Sequence, residues 1–153
     1  MSKIEISPIN IDDDADVLFL FETRSHPEIG KCLLHNPPKD IEAHRAWLKA
    51  NVPEKRLMFL LWVGSKRVGY CHAYDFTDKD TVEVGFVVHP DYQNRGYGTE
   101  MVKLLTRKLK SSMPQRKVIL FVREGNTRAA RLYKKLGFVE KWFQEESRFE
   151  LEQ

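Results

Sequence analysis

The spacing of apolar residues along the chain predicts a mixture of strands and helices. Strands are predicted, from alternating segments and short apolar runs, at residues 3–7, 56–63, 68–76, 81–88, 117–122, 138–143 and 148–151. Helices are predicted, from acidic starts and helical spacing, between 12 and the break at 24–27, and over 41–51, 99–110 and 126–136. The order strand, loop, helix, strand over 81–122 needs a crossover, so strands 81–88 and 117–122 should be parallel neighbours.

The length and composition are those of a small globular protein. The chain has 153 residues, of which 42% are hydrophobic and 31% charged, which predicts one domain over residues 1–153. The longest apolar run, 57–63, is too short to cross a bilayer, and the N-terminal segment MSKIEISPINIDDD lacks the features of a secretory signal. Cys32 and Cys71 are far apart in the sequence, which argues against a disulfide framework or a zinc cluster. We therefore expect a cytoplasmic protein without a metal or a membrane partner.

Positive charge is concentrated in one part of the sequence. Residues 93–135 contain 12 Lys and Arg against Glu100 and Glu124, a local net charge of +10. Such a block indicates a polyanionic partner, either nucleic acid or a phosphorylated small molecule, or else a solvated basic helix face. The sequence lacks the stacking aromatic pattern of an RRM-type domain, so a nucleic acid is not the expected partner.

The segment VEVGFVVHPDYQNRGYGT, residues 82–99, leads from a predicted strand into a predicted helix through two glycines. Gly96 and Gly98 let the backbone approach a ligand closely, and consecutive N–H groups at a helix start, with Arg95 beside them, favour an anion. The dinucleotide fingerprint G-x-G-x-x-G is absent because residue 101 is Met, and no Walker pattern follows. Either the loop binds a phosphate or its glycines serve only a tight turn.

A second pattern, N-x-x-A-x-x-x-Y-x-x-x-G-F, runs from Asn126 to Phe138 directly after the strand at 117–122. Ala129 and Tyr133 share one helix face, where the small Ala129 lets a ligand pack closely and Tyr133 offers a phenol. The alternative is that Tyr133 is a core aromatic residue and Asn126 a helix cap.

Together these two patterns resemble the GNAT superfamily of acetyl-CoA-dependent N-acetyltransferases over residues 81–138. The superfamily pattern Q/R-x-x-G-x-G/A appears here as QNRGYG at 93–98. The resemblance implies an α+β fold with a mixed sheet of about seven strands, a splayed parallel pair and about four flanking helices. It also implies an enzyme that uses acetyl-CoA as cosubstrate, needs no metal, and acetylates a primary amine by direct attack in a ternary complex.

The resemblance further implies where the cosubstrate binds. In such proteins the pantetheine arm lies between the splayed strands, here 86–88 and 117–122, and the pyrophosphate lies on the backbone of 94–99. Asn126 resembles the residue that contacts the pantetheine, and Tyr133 resembles the residue that protonates the departing thiolate. The expected cofactor-binding residues are Phe86, Val87, Val88, Gln93, Asn94, Arg95, Gly96, Tyr97, Gly98, Thr99, Asn126, Ala129 and Tyr133.

Glu83 is the expected general base, because some members of the superfamily place a working glutamate on this strand. Two-residue alternation puts it on the same side as Gly85 and Val87. The alternative is an exposed or ion-paired glutamate without a catalytic role. Phe121 stands on the following strand, where other members carry the base. The rival candidates are His72, Tyr74 and His89.

Segments 24–29 and 41–48, RSHPEI and IEAHRAWL, are similar to acetyltransferases that modify the 4-amino group of nucleotide-linked amino sugars, as in pseudaminic acid biosynthesis. They also loosely resemble ribosomal-protein N-terminal acetyltransferases. The expected acceptor pocket contains Arg24 for a phosphate and Trp47 for stacking, together with His44 and Tyr74. The alternatives are that Trp47 packs in the core and that His44 makes a polar contact at the helix edge. A non-catalytic acyl-CoA-binding domain and a nucleic-acid-binding module also stay open, as does a homodimer.

Overall fold

The computed structural model describes residues 2–31, 38–74, 76–143 and 146–151. The strands are β1 (Ile4–Pro8), β2 (Arg56–Val63), β3 (Lys66–Tyr74), β4 (Thr81–Val88), β5 (Lys117–Phe121), β6 (Phe138–Phe143) and β7 (Glu146–Leu151). They form one sheet in the order β1-β2-β3-β4-β5-β7-β6. The pair β4–β5 is parallel, and the other described pairs are antiparallel. The predicted mixed sheet of seven strands, with its parallel pair, is confirmed.

The helices are α1 (Asp14–Ser25), α2 (Pro27–Gly30), α3 (Ile41–Asn51), α4 (Tyr97–Ser112) and α5 (Thr127–Lys135). The predicted acidic caps are present: the side chains of Asp13 and Asp40 accept hydrogen bonds from the first turns of α1 and α3. The single turn α2 adds a fifth helix to the four expected. It begins after His26, whose Nδ1 accepts the Glu28 N–H at 3.1 Å.

Several predicted boundaries were wrong by two residues, and the starts of β3 and α4 show the physical reason. The turn between β2 and β3 is shorter than the four residues expected, because Lys66 and Arg67 already pair with β2. Their charge hid the strand pattern, but Arg67 is oriented by an ion pair, its Nε lying 2.8 Å from the buried carboxylate of Asp16. Helix α4 begins at Tyr97, two residues earlier than predicted, after Gly96 at φ 82°.

The core lies on both faces of the sheet, and alternation along β2 shows this directly. Phe59 and Leu61 pack with Leu105 of α4 on one face. Met58 and Leu60 pack on the other face, in the cluster that contains residues of α1 and α3. The sheet is therefore a middle layer between α1 and α3 on one side and α4 on the other.

The parallel pair separates after three residues. Strand β4 pairs with β5 from Thr81 to Glu83, whereas it pairs with β3 as far as Val88. Residues 84–88 therefore have a neighbouring strand on one side and a gap on the other. This gap is the splay that the sequence resemblance implied.

Two further features bear on the expectations from composition. No helix in the part of the chain described here is long and apolar enough to cross a membrane. Cys71 is fully buried in the core, and burial raises the pKa of its thiol. Cys32 lies outside the described residues. Among the described His, Cys, Asp and Glu side chains, no group of three or more is arranged to hold a metal ion.

Candidate active site

A cleft of about 530 Å³ lies where β4 and β5 separate. One wall is residues 84–88 of β4, and the opposite wall is residues 120–123 at the end of β5. Residues 96–99 of the α4 start and the α5 residues Ala129, Leu132 and Tyr133 also line it. Tyr70, His72 and Tyr74 of β3 line the part that contains the predicted acceptor residue Tyr74, and this part is called the acceptor end below. Every predicted cofactor-binding residue except Arg95 lines this cleft.

The loop between β4 and α4 is held in a shape that presents backbone to the cleft. The Gln93 side chain donates from Nε2 to the Val88 carbonyl at 3.0 Å, which ties the loop back to the end of β4. Asn94 adopts φ 65° and Gly96 φ 82°, both in the left-handed region. A Cβ at Gly96 would meet no atom within 4 Å, so the backbone conformation and not the space requires glycine there.

The start of α4 presents backbone N–H groups that lie ahead of its helical hydrogen bonds. Its first described intrahelical bond runs from the Glu100 N–H to the Gly96 carbonyl at 3.2 Å, so the N–H groups of residues 97–99 precede this ladder. Gly96 contributes no side-chain cap. Arg128 of α5 donates from Nη2 to Asn94 Oδ1 at 2.5 Å and brings a positive charge to the loop. The helix dipole and these groups together suit an anion such as a diphosphate.

Arg95 lies apart from this cleft. Its guanidinium is 5.8 Å from the Tyr92 ring centroid, and with Lys66 it lines a separate, smaller cavity of about 260 Å³. The sequence pattern grouped Arg95 with the predicted cofactor-binding loop because it is adjacent in the chain, but its side chain leaves the loop in another direction.

Tyr133 forms part of the cleft wall near β4. Its side chain is 8% exposed and contacts the rings of Phe86, Phe138 and Phe149, with centroids 5.6 to 6.3 Å apart. Burial raises the pKa of the phenol above its ordinary value. The hydroxyl therefore stays protonated and remains a hydrogen-bond donor throughout the neutral and mildly alkaline range. Both interpretations of Tyr133 are compatible, since it packs in the core and also borders the cleft.

Asn126 has the capping contact that the sequence left as an alternative. Its Oδ1 accepts the Ala129 N–H at 3.2 Å at the start of α5. Asn126 nevertheless lines the cleft, and the side-chain amide still has its nitrogen as a donor. Ala129 lies beside it on the cleft wall, partly buried and packed against the core.

The acceptor end of the cleft is built by pairing between β3 and β4. Tyr74 is opposite Glu83, His72 opposite Gly85, and Tyr70 opposite Val87, so all share one face of the sheet. The predicted alternation of Glu83 with Gly85 and Val87 is therefore observed. Glu83 does not line the cleft itself, but its Oε2 accepts a hydrogen bond from the hydroxyl of Tyr74, which does.

Arg56 belongs to this group and was missed from the sequence. Its Nη1 is 2.5 Å from His72 Nδ1, and its guanidinium carbon lies 3.9 Å from the Tyr74 ring centroid. Burial lowers the pKa of Arg56, while Tyr74 and Glu83 act in the opposite direction. Arg56 is placed beside Tyr74 by the pairing of β2 with β3, and this register is known only from the tertiary structure.

The other predicted acceptor residues lie behind the cleft wall. Arg24 of α1 donates from Nη1 to the hydroxyl of Tyr70 at 3.3 Å. His44 and Trp47 of α3 stack with ring centroids 6.2 Å apart, and His44 is 2% exposed. Burial, and secondly the charge of Arg24, lower the pKa of His44 to about 4, so this imidazole is neutral at pH 7. His89, a rival base, accepts the Asp91 N–H through Nδ1 and caps the turn after β4.

Helix α2 borders the cleft at its open side. Glu28 and Ile29 are among the lining residues. Arg123, at the end of β5, donates from Nη1 to the carbonyl of Lys31 at 2.7 Å. This bond ties the segment after α2 to the strand wall opposite β4, so the N-terminal helices contribute directly to the cleft.

Comparison with known proteins gives the family. A model described as "Acetyltransferase (GNAT) domain" matches residues 3–139. The chain is also similar to the uncharacterized N-acetyltransferase YnaD of Bacillus subtilis (strain 168), with 29% identity over 70 residues. That match covers 46% of this chain and 41% of the relative, so it spans less than half of either protein.

Solved structures show the same fold. A domain from Methanocaldococcus jannaschii DSM 2661 has a TM-score of 0.82 and 25% identity, with 98% of each chain covered. Spermidine N-acetyltransferase from Vibrio cholerae, crystallised with CoA and spermine, has a TM-score of 0.82 and 14% identity, with 96% of this chain and 92% of that chain covered. The family model includes both walls of the cleft, which confirms the predicted enzyme class, an acetyl-CoA-dependent acetyltransferase. This chain belongs to the GNAT acetyltransferase family.

Proposed function

We propose that this chain transfers the acetyl group of acetyl-CoA to a primary amine, by direct attack within a ternary complex. The main observation behind this proposal is one continuous cleft, which connects the α4 start, the splayed part of β4, Tyr133 and the Tyr74–Glu83 pair. The family match over residues 3–139 and the one continuous sheet also support a single domain over the whole chain.

The described residues fit a coenzyme A molecule along the cleft. The N–H groups of residues 97–99 and the left-handed Gly96 suit a diphosphate at one end. The gap beside residues 84–88 leaves β4 backbone groups available to an extended pantetheine, which would bind as an added strand does. Bound acetyl-CoA supplies the thioester carbonyl that the amine attacks and the thiolate that leaves.

The backbone N–H of Val88 is the candidate oxyanion donor. The His89 N–H donates to the Val68 carbonyl of β3 at 2.9 Å. Because successive N–H groups of a strand point in opposite directions, the Val88 N–H points away from β3, into the gap. A preorganised donor at this place stabilises the negative charge that develops on the carbonyl oxygen.

Tyr133 is the candidate donor to the leaving sulfur. A thiol has a pKa of about 8.5, whereas burial raises the pKa of the Tyr133 phenol above its ordinary value of about 10. Full proton transfer in the ground state is therefore unfavourable, and Tyr133 acts first as a hydrogen-bond donor that stabilises the sulfur as its charge grows. General acid help of this kind is worth about 10²–10⁴ in rate.

The amine must lose a proton before it attacks. An alkyl amine with a pKa of about 10.4 needs about 4.6 kcal/mol for deprotonation at pH 7. Tyr74 borders the cleft and donates to Glu83. We infer that Tyr74 takes the proton from the amine as it passes its own to Glu83, so that Glu83 is the base without lining the cleft.

The acceptor that the N-terminal segments favour is the 4-amino group of a nucleotide-linked amino sugar, and the alternative is a protein N-terminus. Free thiol release from acetyl-CoA, measured against a panel of amino sugars, nucleotide-linked amino sugars, polyamines and peptides, tests both. Calorimetry with CoA tests cosubstrate binding separately. Absence of CoA binding refutes the proposal, and CoA binding without thiol release from any amine favours a non-catalytic acyl-CoA-binding domain.

A further inference from the structure

A group of cationic and aromatic side chains lies directly behind the acceptor end of the cleft. Arg24 bonds to Tyr70, and Arg56 bonds to His72 and covers the ring of Tyr74. Tyr70, His72 and Tyr74 line the cleft. Each arginine is therefore one side chain away from the space where the acceptor amine binds under the proposed function, on which this inference rests.

The charges of Arg24 and Arg56 are balanced to different degrees by the carboxylates of the described residues. Arg24 forms no ion pair within the part of the chain that the structure describes, and its buried Nε has no hydrogen-bond partner there. The carboxylate of Glu83 favours the charged form of Arg56, and Glu28 of α2 also lines the cleft. Of the two arginines, Arg24 therefore carries the charge that no carboxylate of the described residues pairs with.

Both arginines also lie against the faces of aromatic rings. The Arg24 guanidinium lies 5.9 Å from the ring centroids of both Trp47 and Tyr70. The Arg56 guanidinium lies 5.0 Å from the Trp47 ring centroid. Ring faces attract a cation without neutralising it, so both guanidinium groups keep their positive charge behind the cleft wall. The low pKa of the neighbouring His44, to which Arg24 contributes, agrees with a positive potential in this region.

Arg56 also fixes the orientation of the His72 ring in the cleft wall. Arginine has no acceptor atom, so in the Arg56–His72 contact the Nδ1 of His72 accepts the hydrogen bond. The ring packs against Gly85, where a Cβ would overlap the imidazole, so glycine at this position leaves room for it.

We propose that the acceptor amine carries a phosphate group that Arg24 and Arg56 attract, and that these two arginines make phosphate-bearing amines better ligands than neutral amines or polyamines. A monophosphate and a nucleotide diphosphate share the chemistry that the site recognises. A polycation such as spermine would instead meet like charge at this end of the cleft.

The test is calorimetry on the CoA-saturated protein, so that the proposed diphosphate site at residues 96–99 is already filled. The probes are glucosamine, glucosamine 6-phosphate, a UDP-linked amino sugar and spermidine. We expect the phosphate to improve binding by about tenfold, through Coulomb attraction across one side chain, and the improvement to shrink with added salt. The two phosphate-bearing probes then show whether a monophosphate suffices or a nucleotide is needed.

Substitutions locate the effect. Arg24→Gln and Arg56→Gln should each reduce the preference for the phosphate-bearing amine about tenfold, with CoA affinity unchanged. Arg45→Gln is the matched control, because Arg45 lies on α3 and pairs with Asp14 away from the cleft. Thermal melts verify that each variant folds. Arg24 is partly exposed near the end of α1, so Arg24→Gln still provides the test if Arg56→Gln does not fold.

Equal binding of glucosamine and its 6-phosphate overturns this proposal, as does tighter binding of spermidine or an unchanged preference in Arg24→Gln. These results are read from binding and do not depend on turnover. A phosphate preference that Arg24→Gln removes, in a protein that releases no thiol, would support this inference and refute the proposed activity.

Discussion

Replacing Tyr133 by phenylalanine removes one oxygen atom from the cleft wall and leaves the ring in place. The ring supplies the contacts with Phe86, Phe138 and Phe149, with centroids 5.6 to 6.3 Å apart, and these remain in the variant. We therefore expect the free energy of unfolding to change by less than about 1 kcal/mol. Tyr133→Ala would instead open a cavity at about 3–5 kcal/mol, so it is a poor test of the hydroxyl.

The expected effect of Tyr133→Phe is on the chemical step. Loss of the donor to the leaving sulfur should lower kcat by about 10²–10³, while the Kd for CoA changes less than about threefold. Because burial raises the pKa of the Tyr133 phenol, the hydroxyl stays neutral, and the wild-type kcat should show no alkaline decline from this group up to about pH 9.

The assay is free thiol release at saturating acetyl-CoA, with the CoA Kd from calorimetry and the melting temperature as a folding check. A kcat within twofold of wild type, with the fold intact, would remove Tyr133 from the donor role. An equal loss in kcat and in CoA affinity would assign it to cosubstrate binding instead.

Three further predictions concern the loop, the base and the core. Gly96→Val should weaken CoA binding by about a hundredfold with the chain still folded, because a β-branched residue disfavours φ 82°; calorimetry showing unchanged affinity would mean the phosphates bind elsewhere. Glu83→Gln should lower kcat/KM most at pH 7 and less near pH 10, where the amine deprotonates by itself; a loss that is constant across the pH profile would contradict a role as base. His44 has a pKa of about 4 when folded against about 6.5 when unfolded, so the unfolded chain binds more protons between these values. Stability is therefore full above about pH 6.5 and falls by about 3 kcal/mol toward pH 4, and His44→Gln should flatten this slope in urea titrations across that range.

Much of the site was already visible in the sequence because its parts are local. The loop at 93–99 needs residues with left-handed backbone, a helix start and a preceding strand, and all three are neighbours in the chain. The helix face with Ala129 and Tyr133 is likewise a matter of spacing within α5. Of the thirteen residues predicted to bind the cofactor, twelve line the cleft, and Arg95 is the exception.

The acceptor end was predicted less completely because its residues meet only through strand pairing. Arg56, Tyr70 and His72 stand on two strands, and their common face depends on the register between β2, β3 and β4. Glu83 was assigned to the correct face by alternation. Its contact with Tyr74, which connects it to the cleft, depends on which residue of β3 lies opposite.

The amino-acid sequence by itself determined the seven strands, the four longer helices, the parallel pair and the glycine loop at 93–99, since these follow from apolar periodicity and from glycines that few other residues replace. Only the tertiary structure decided that β4 leaves β5 after Glu83, that Arg95 lies outside the cleft, and that Arg24 and Arg56 converge behind Tyr70 and His72. The physical reason is that a charged side chain carries no periodic signal of its own, so its place is set by the packing of distant segments.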